Sequence, residues 1–261
     1  MLQTDYYDNK SQDYAKYRFN IPSIVCDYIC AYLGKKHLGN FLDLGCGTGE
    51  LTIPLSTHFD QVTGVDPNQQ MINQAIKEGR ENNINNIQWL NDYAENLLDS
   101  FEKFNLITVA NAFHWLNHKI VVPWIKAHLK ENSAVALIGS YGGFIYAKED
   151  DWQFKIKQIW HQWFGEKQTS ILRKRFNGYD EWGDVLKQYH FSSVEMIKLP
   201  HKRNWTIESL IGYSKSLSFY QVTSEEQAQK FTEDMYNKLL KINPSGDFLE
   251  NYDIVLIIAR N

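Results

Sequence analysis

The chain is poor in cysteine, with three residues, and poor in proline, with six, over a length of 261. Cys26, Cys30 and Cys46 are an odd and unevenly spaced trio that makes no disulfide framework. No second Cys or His pair completes a zinc site, so no metal is expected. Cys26 and Cys30 can share a helix face, and all three read as plain buried thiols. Positive charge is not in excess either: 27 Lys and Arg stand against 31 Asp and Glu, a formal net charge of −4. Duplex DNA and long RNA are held largely through basic surfaces, so nucleic acid is not an expected partner. Long hydrophobic runs are missing as well. The stretch "IVLIIA" near the C-terminus falls far short of the roughly 20 residues of a membrane helix. The opening "MLQTDYYDNK" lacks the charged-then-apolar profile of a signal peptide, and a cytoplasmic location is expected.

What is present is a rhythm. Short β-like runs at 40–46, 61–67, 86–92, 104–111 and 133–140 alternate with helical stretches. Such alternation predicts crossover units, a mainly parallel sheet and helices on both of its faces. "PNQQMINQAIKEGRENN" opens with Pro67, which suits a first helical turn. It then sets Met71, Ile72, Ala75 and Ile76 on one face. Between 141 and 164 aromatic residues crowd together without a strand period. A helical stripe of Trp182, Val185, Leu186 and Tyr189 follows, then the strand-like "SSVEMIKLP". Two further helices are predicted, one in "TIESLIGYSKSLSFY" and one from a capping box of Ser224 and Gln227. The second sets Ala228, Phe231, Met235 and Leu239 on one side. "YDIVLIIARN" closes the chain as a strand buried on both faces would. With no repeat or low-complexity linker, residues 1–261 read as one α/β domain: an N-terminal helical cap (1–39), a cofactor-binding half (40–140) and a substrate-side half with lid segments (141–261).

The chemistry concentrates in "FLDLGCGTG", residues 41–49. Glycine gives up more backbone entropy on folding than any other residue, so three at alternate positions imply a need for bare backbone. A strand that bends into a helix through glycines brings main chain and a helix N-terminus against a ligand. Dinucleotide folds use G-x-G-x-x-G/A for this purpose. Here the sixth position is Glu50, which would repel a pyrophosphate and suits a cationic or zwitterionic ligand. Asp66 ends the second strand at about the separation at which an acid meets ribose hydroxyls. Asp92 ends the third strand, and Asp43 precedes the glycines. Three carboxylates at consecutive strand ends predict an acidic rim around a nucleoside-sized slot.

"LDLGCGTGELT", "VTGVDPNQQMINQA", "NDYAENL" and "ITVANAFHWLN" resemble, in order and spacing, the motifs of S-adenosylmethionine-dependent methyltransferases with the seven-stranded, Rossmann-like fold. "AFHW" and "YAKYRFNIP" look most like the small-molecule group that includes the trans-aconitate and ubiquinone-type (type 11) methyltransferases. The usual proline–glycine before the fifth strand is replaced by "LKENSAVAL". The resemblance implies a three-layer sandwich around a mostly parallel seven-stranded sheet, with the last strand antiparallel and helical lids after strands five and six. S-adenosyl-L-methionine is the implied cofactor. Gly45, Cys46 and Gly47 would approach its methionine part, with Asp43 assisting the ammonium. Asp66 would take the ribose hydroxyls, Pro67 and Met71 would pack near the adenine, and Asp92 with the amide of Tyr93 or Ala94 would read its edge. Asn111, Ala112 and His114 would line the floor under the sulfonium, and Arg18 would cap the pocket from the N-terminal helix together with Tyr14.

Plainer readings are open at several positions, and Asp66 and Asp92 also suit a helix N-cap or a turn. His114 beside Trp115 suits a packed imidazole as well as a substrate contact. Arg173, Lys174 and Arg175, and likewise Lys202 and Arg203, suit a solvated helix face, though in a lid segment they could hold an acidic substrate. Tyr213 and Tyr220 are further candidates for the substrate side. The expected activity is methyl transfer to a small molecule, a carboxylate or hydroxyl, by in-line displacement. Alignment in a dry pocket can supply on the order of 7–11 kcal/mol of such a barrier. A general base is needed only for an acceptor that carries a proton, and His114 is the candidate. An NAD-dependent oxidoreductase and a non-catalytic S-adenosylmethionine-binding protein are the alternatives.

Overall fold

The computed structural model describes residues 17, 21–34, 39–97, 101–142, 144, 147–169, 179–217, 219–222 and 224–261. Tyr14, Arg18 and the basic cluster at 173–175 lie outside the described residues.

Five strands run parallel: β1 (Asn40–Leu44), β2 (Gln61–Asp66), β3 (Ile87–Asn91), β4 (Phe104–Ala110) and β5 (Leu129–Gly142). β6 (Ser193–Thr206) and β7 (Asp247–Arg260) complete a seven-stranded sheet of order β3-β2-β1-β4-β5-β7-β6. β7 is antiparallel to both neighbours, β5 and β6. Its residues from Ile254 to Ala259 are at most 1% exposed, as its unbroken apolar run requires. β6 extends well beyond the predicted strand and through Pro200. An edge position tolerates that proline, which cannot contribute an N–H to a ladder.

Helices cover both faces. On one side α1 (Ser23–Leu33) and α2 (Thr52–Ser56) seal a core containing Ile29, Leu55, Leu106 and Ile258. On the other, α4 (His118–His128) and α6 (Tyr179–Gln188) bury Val122, Ile125, Trp182 and Leu186 against Ile107 and Ile257. α3 (Gln69–Glu81) buries Met71, Ile72 and Ala75, as its period predicts. Its first turn differs from expectation. Asn68, not Pro67, caps it, with the side-chain oxygen accepting from the amides of Gln70 and Met71 at 2.9 and 3.0 Å. Pro67 therefore precedes the helix.

The aromatic stretch resolves into α5 (Trp152–Phe164), which packs with α7 (Ile207–Ser216) and α8 (Glu225–Ile242) in a third core rich in rings. The hydroxyl of Ser224 accepts from the amide of Gln227 at 3.2 Å, while a full reciprocal box forms at Thr206 and Ser209. Lys202 and Arg203 lie on β6 rather than on a helix; Lys202 is exposed and Arg203 half-buried. β5 stops at Gly142, opposite Tyr252, whereas β6 and β7 stay paired out to Thr206 and Asp247. The last turns of this ladder form an arm that stands beyond the carboxyl ends of the parallel strands. No helix among the described residues is long and apolar enough to cross a membrane.

Candidate active site

The strand order reverses between β1 and β4, and in open α/β sheets ligands settle in the crevice above such a switch. A cleft enclosing about 770 Å³, part of it open to solvent, lies there. That is ample for a nucleoside-sized ligand. Gly45, Gly47, Asp66, Pro67, Met71, Tyr93, Ala94, Asn111, Ala112 and Trp115 are among the residues that line it.

The glycines have separate physical reasons. Gly45 has a φ of +70°, and a Cβ built there would stand 2.5 Å from the Cβ of Ala112. Gly47 has a φ of +55° and nothing within 4 Å of an added Cβ, so bare backbone faces open space beside the cleft. The bend is laid over the end of β2 by its own amides. Gly45 and Cys46 both donate to the carbonyl of Val65, at 2.8 and 3.0 Å. The Gly47 amide donates to Oδ2 of Asp66 at 3.0 Å. A phosphate-binding loop needs such amides aimed at the anion. Here all three are committed inside the protein, which argues against a dinucleotide.

Asp66 receives a second bond, from the Asn68 amide to Oδ1 at 2.8 Å. A carboxylate offers about four lone-pair sites, so two remain for ligand hydroxyls. Burial pushes its pKa up to about 6, which makes a nearby cation all the more favourable to its charged form. Asn111, also on the lining, follows the end of β4 with a φ of 52°, a left-handed position that asparagine accepts more readily than most residues. Its amide donates to the Ile138 carbonyl at 2.8 Å.

Several expected residues are placed elsewhere. Asp43 is 1% exposed and absent from the cleft wall. Its two oxygens accept from the hydroxyls of Thr52 and Thr108, each at 2.6 Å. Burial, reinforced by the charge of Asp66 and opposed by those hydroxyls, raises its pKa to about 6. The Cys46 side chain is buried, with burial holding its thiol well above its ordinary pKa; only its backbone belongs to the bend. Cys26 is buried and Cys30 half-buried; both are free thiols. Asp92 caps a turn, its Oδ1 accepting from the Tyr93 amide and from Asn96 at 2.7 and 2.8 Å. His114 packs between Trp115 and Trp182, with ring centroids 5.2 and 6.3 Å away, and the cleft wall does not include it. Tyr220 is enclosed by Phe164 and Phe231 in the third core, and Tyr213 lies between Phe144 and Trp205. The sequence reading missed Asn68 and Glu95, both on the wall. Glu95 accepts from the Asn117 amide at 2.7 Å and so ties the loop after β3 to the loop after β4.

Residues 41–132 match the family described as a methyltransferase domain. The chain is an S-adenosylmethionine-dependent methyltransferase of the Rossmann-like class. A Dictyostelium discoideum protein named as a candidate methyltransferase is 26% identical to it over 224 residues, 84% of this chain and 81% of that one. A Saccharomyces cerevisiae protein named as an S-adenosylmethionine-dependent methyltransferase is 29% identical over 135 residues, covering 50% of this methyltransferase and 46% of its own length. The fold is shared with a solved candidate methyltransferase of an Anabaena variabilis antibiotic biosynthesis pathway. That pair has a TM-score of 0.63 at 16% identity, over 91% of this methyltransferase and 98% of the other chain.

Proposed function

We propose that this methyltransferase acts on a small-molecule acceptor, a carboxylate or hydroxyl, by in-line displacement. The observation that carries the cofactor assignment is the bend itself. Its three amides are spent on Val65 and Asp66, and the acids Asp66 and Glu95 stand on the wall. Such a surface suits a cationic nucleoside rather than a pyrophosphate. S-adenosylmethionine, when bound, supplies an electrophilic methyl group that needs no further activation.

The protein's part is placement. Asp66 accepts the two ribose hydroxyls in charge-assisted bonds. Gly45 and Gly47 let the methionine portion lie against main chain. Pro67 and Met71 pack against the base, and the amides at Tyr93 and Ala94 lie beside its edge. Asn111 and Ala112 form the floor under the reacting centre, and Trp115 closes the side. Among the described residues no histidine is on the cleft wall. A carboxylate acceptor needs no base, so that arrangement favours it over a hydroxyl. Residues of β6, β7, α5, α7 and α8 supply the acceptor side, with Tyr213 nearer to it than Tyr220.

Calorimetric titration with S-adenosylhomocysteine tests this reading. The wild type is expected to bind, and Asp66→Ala to bind at least about 100-fold more weakly, since two charge-assisted hydrogen bonds are lost. Unchanged affinity in a folded Asp66→Ala variant would remove the ribose assignment.

A further inference from the structure

We propose that Arg203 determines acceptor specificity, holding a carboxylate carried by the methyl acceptor. This rests on the methyltransferase reading and adds to it a chemical class and a residue. Arg203 pairs across the ladder with Glu250, on the arm of β6 and β7 that rises beyond the end of β5. That is the edge of the sheet on which the glycine bend also lies. Glu50, the first side chain after the bend, is among the charges that act on Arg203. The arm and the bend share the carboxyl edge of the sheet, where ligands of open α/β folds settle, and that shared edge puts Arg203 on the acceptor side.

Its geometry is fixed from several directions. Cζ lies 3.5 Å from the ring centroid of Trp205, and Nη2 donates to the Tyr17 carbonyl at 2.8 Å. The indole is itself fixed, because its Nε1 donates to Oε2 of Glu250 at 2.7 Å. The ring of Tyr213 meets Trp205 edge-on at 5.1 Å. A planar fork held flat on an indole loses little further freedom when it meets a carboxylate. Burial lowers the pKa of Arg203 and raises those of Glu250 and Tyr252, so the fork works in a partly dehydrated, aromatic setting where charge interactions are stronger than in water. An acceptor there would meet the guanidinium on one side and, with the cofactor bound, the charge of its sulfonium. A carboxylate is attracted by both, an ammonium is repelled by both, and a neutral group gains little from either.

The rival explanation is a brace: Arg203 joins Tyr17 to Trp205 and reads nothing. Three probes with one body separate the two. Phenylacetate, phenylacetamide and phenethylamine are offered to the full chain loaded with S-adenosylhomocysteine, and binding is read by saturation-transfer NMR. Phenylacetate is expected to bind at least about fivefold more tightly than the other two. Arg203→Gln is expected to lose about tenfold in phenylacetate affinity, and Arg203→Lys less, while S-adenosylhomocysteine affinity stays within about twofold. Equal binding of the three probes by the wild type overturns the proposal. So does an Arg203→Gln variant that keeps the preference, or one that loses acid and cofactor together. Should Arg203→Gln fail to fold, Arg203→Lys and Glu250→Gln decide. The second is expected to tighten phenylacetate, and a weakening of it counts against the proposal. Absence of S-adenosylhomocysteine binding by the wild type would instead strike the cofactor reading, and the probe preference of the unloaded protein would then judge Arg203 on its own.

Discussion

Between residues 40 and 140 the cleft joins main chain and short polar side chains, at Gly45, Gly47, Asp66, Asn68 and Asn111, to apolar residues such as Pro67, Met71 and Trp115. Beyond residue 141 the third core is built from rings, with Phe144, Trp160, Trp205 and Tyr213 packed in a chain of contacts. The first region is shaped by directional bonds and by φ angles, which leave few alternatives. The second is shaped by packing, which tolerates exchange among residues of similar volume. One consequence is that conservative exchange is expected to be tolerated less in the first half than in the second. The variants below probe that division, beyond the Asp66→Ala loss already expected.

The sharpest internal contrast is between two glycines of the same bend. Gly45→Ala puts a methyl group 2.5 Å from the Cβ of Ala112 at a φ that alanine disfavours. It is expected to cost about 2–4 kcal/mol of stability and to weaken cofactor binding as a by-product of the displaced loop. Gly47→Ala meets no atom within 4 Å and is expected to cost only about 1–2 kcal/mol, the left-handed penalty. Its methyl group adjoins the cleft, so S-adenosylhomocysteine affinity is expected to fall about tenfold or more. Urea unfolding and calorimetry on both variants read the two effects separately. Equal stability losses would mean that the bend is not held as tightly as its bonds to Val65 suggest.

This division also explains what was legible beforehand. The bend and Asp66 could be read because local backbone rules demand glycine and because strand ends place acids at fixed intervals. Asp43 and Asp92 carry the same signal yet are absent from the cleft wall. Thr52 and Thr108, nine and 65 positions away from Asp43, hold its oxygens inside the core, and no local pattern announces them. Glu95 went unread because its partner, the Asn117 amide, lies 22 positions on. Strand β6 ran past its expected end because pairing with β7 overrode Pro200. On the acceptor side Arg203 looked like a solvated cation. Only the cross-strand register that brings it to Glu250, and the indole beneath it, give it another meaning.

Asp43 offers a test of whether the first half is built for ligand at the expense of the fold. Its pKa of about 6 lies above the ordinary 3.8, so the folded chain keeps a proton that the unfolded chain has released. The stability attached to that proton is fully present below the unfolded value and is lost as pH rises through about 6. At neutral pH the ionised group then costs about 3 kcal/mol, at 1.36 kcal/mol per unit. Asp43→Asn keeps both threonine bonds, one with its direction reversed, and removes the charge. Stability at pH 7.5 is expected to rise by about 1–3 kcal/mol, and the decline between pH 4 and 6 to flatten by about half, the remainder belonging to Asp66. The same variant is expected to lose more affinity for S-adenosylmethionine than for S-adenosylhomocysteine, whose sulfur carries no charge. A variant with an unaltered pH profile would show that another group titrates.

The smallest effect is expected at Tyr220, the residue that most tests the packing side of the comparison. It was a candidate for the acceptor pocket, but its ring has centroids of Phe164 and Phe231 at 5.6 and 5.2 Å and is 9% exposed. Tyr220→Phe preserves that packing and alters one hydroxyl. Stability is expected to change by no more than about 1.5 kcal/mol, the range for a single neutral hydrogen bond. Phenylacetate binding is expected to stay within about twofold, while Tyr213→Phe, beside Trp205, shifts it further. A reversed order, with Tyr220 governing the probe and Tyr213 silent, would move the acceptor from the arm of β6 and β7 to the core between α5 and α8. It would take the role of Arg203 with it.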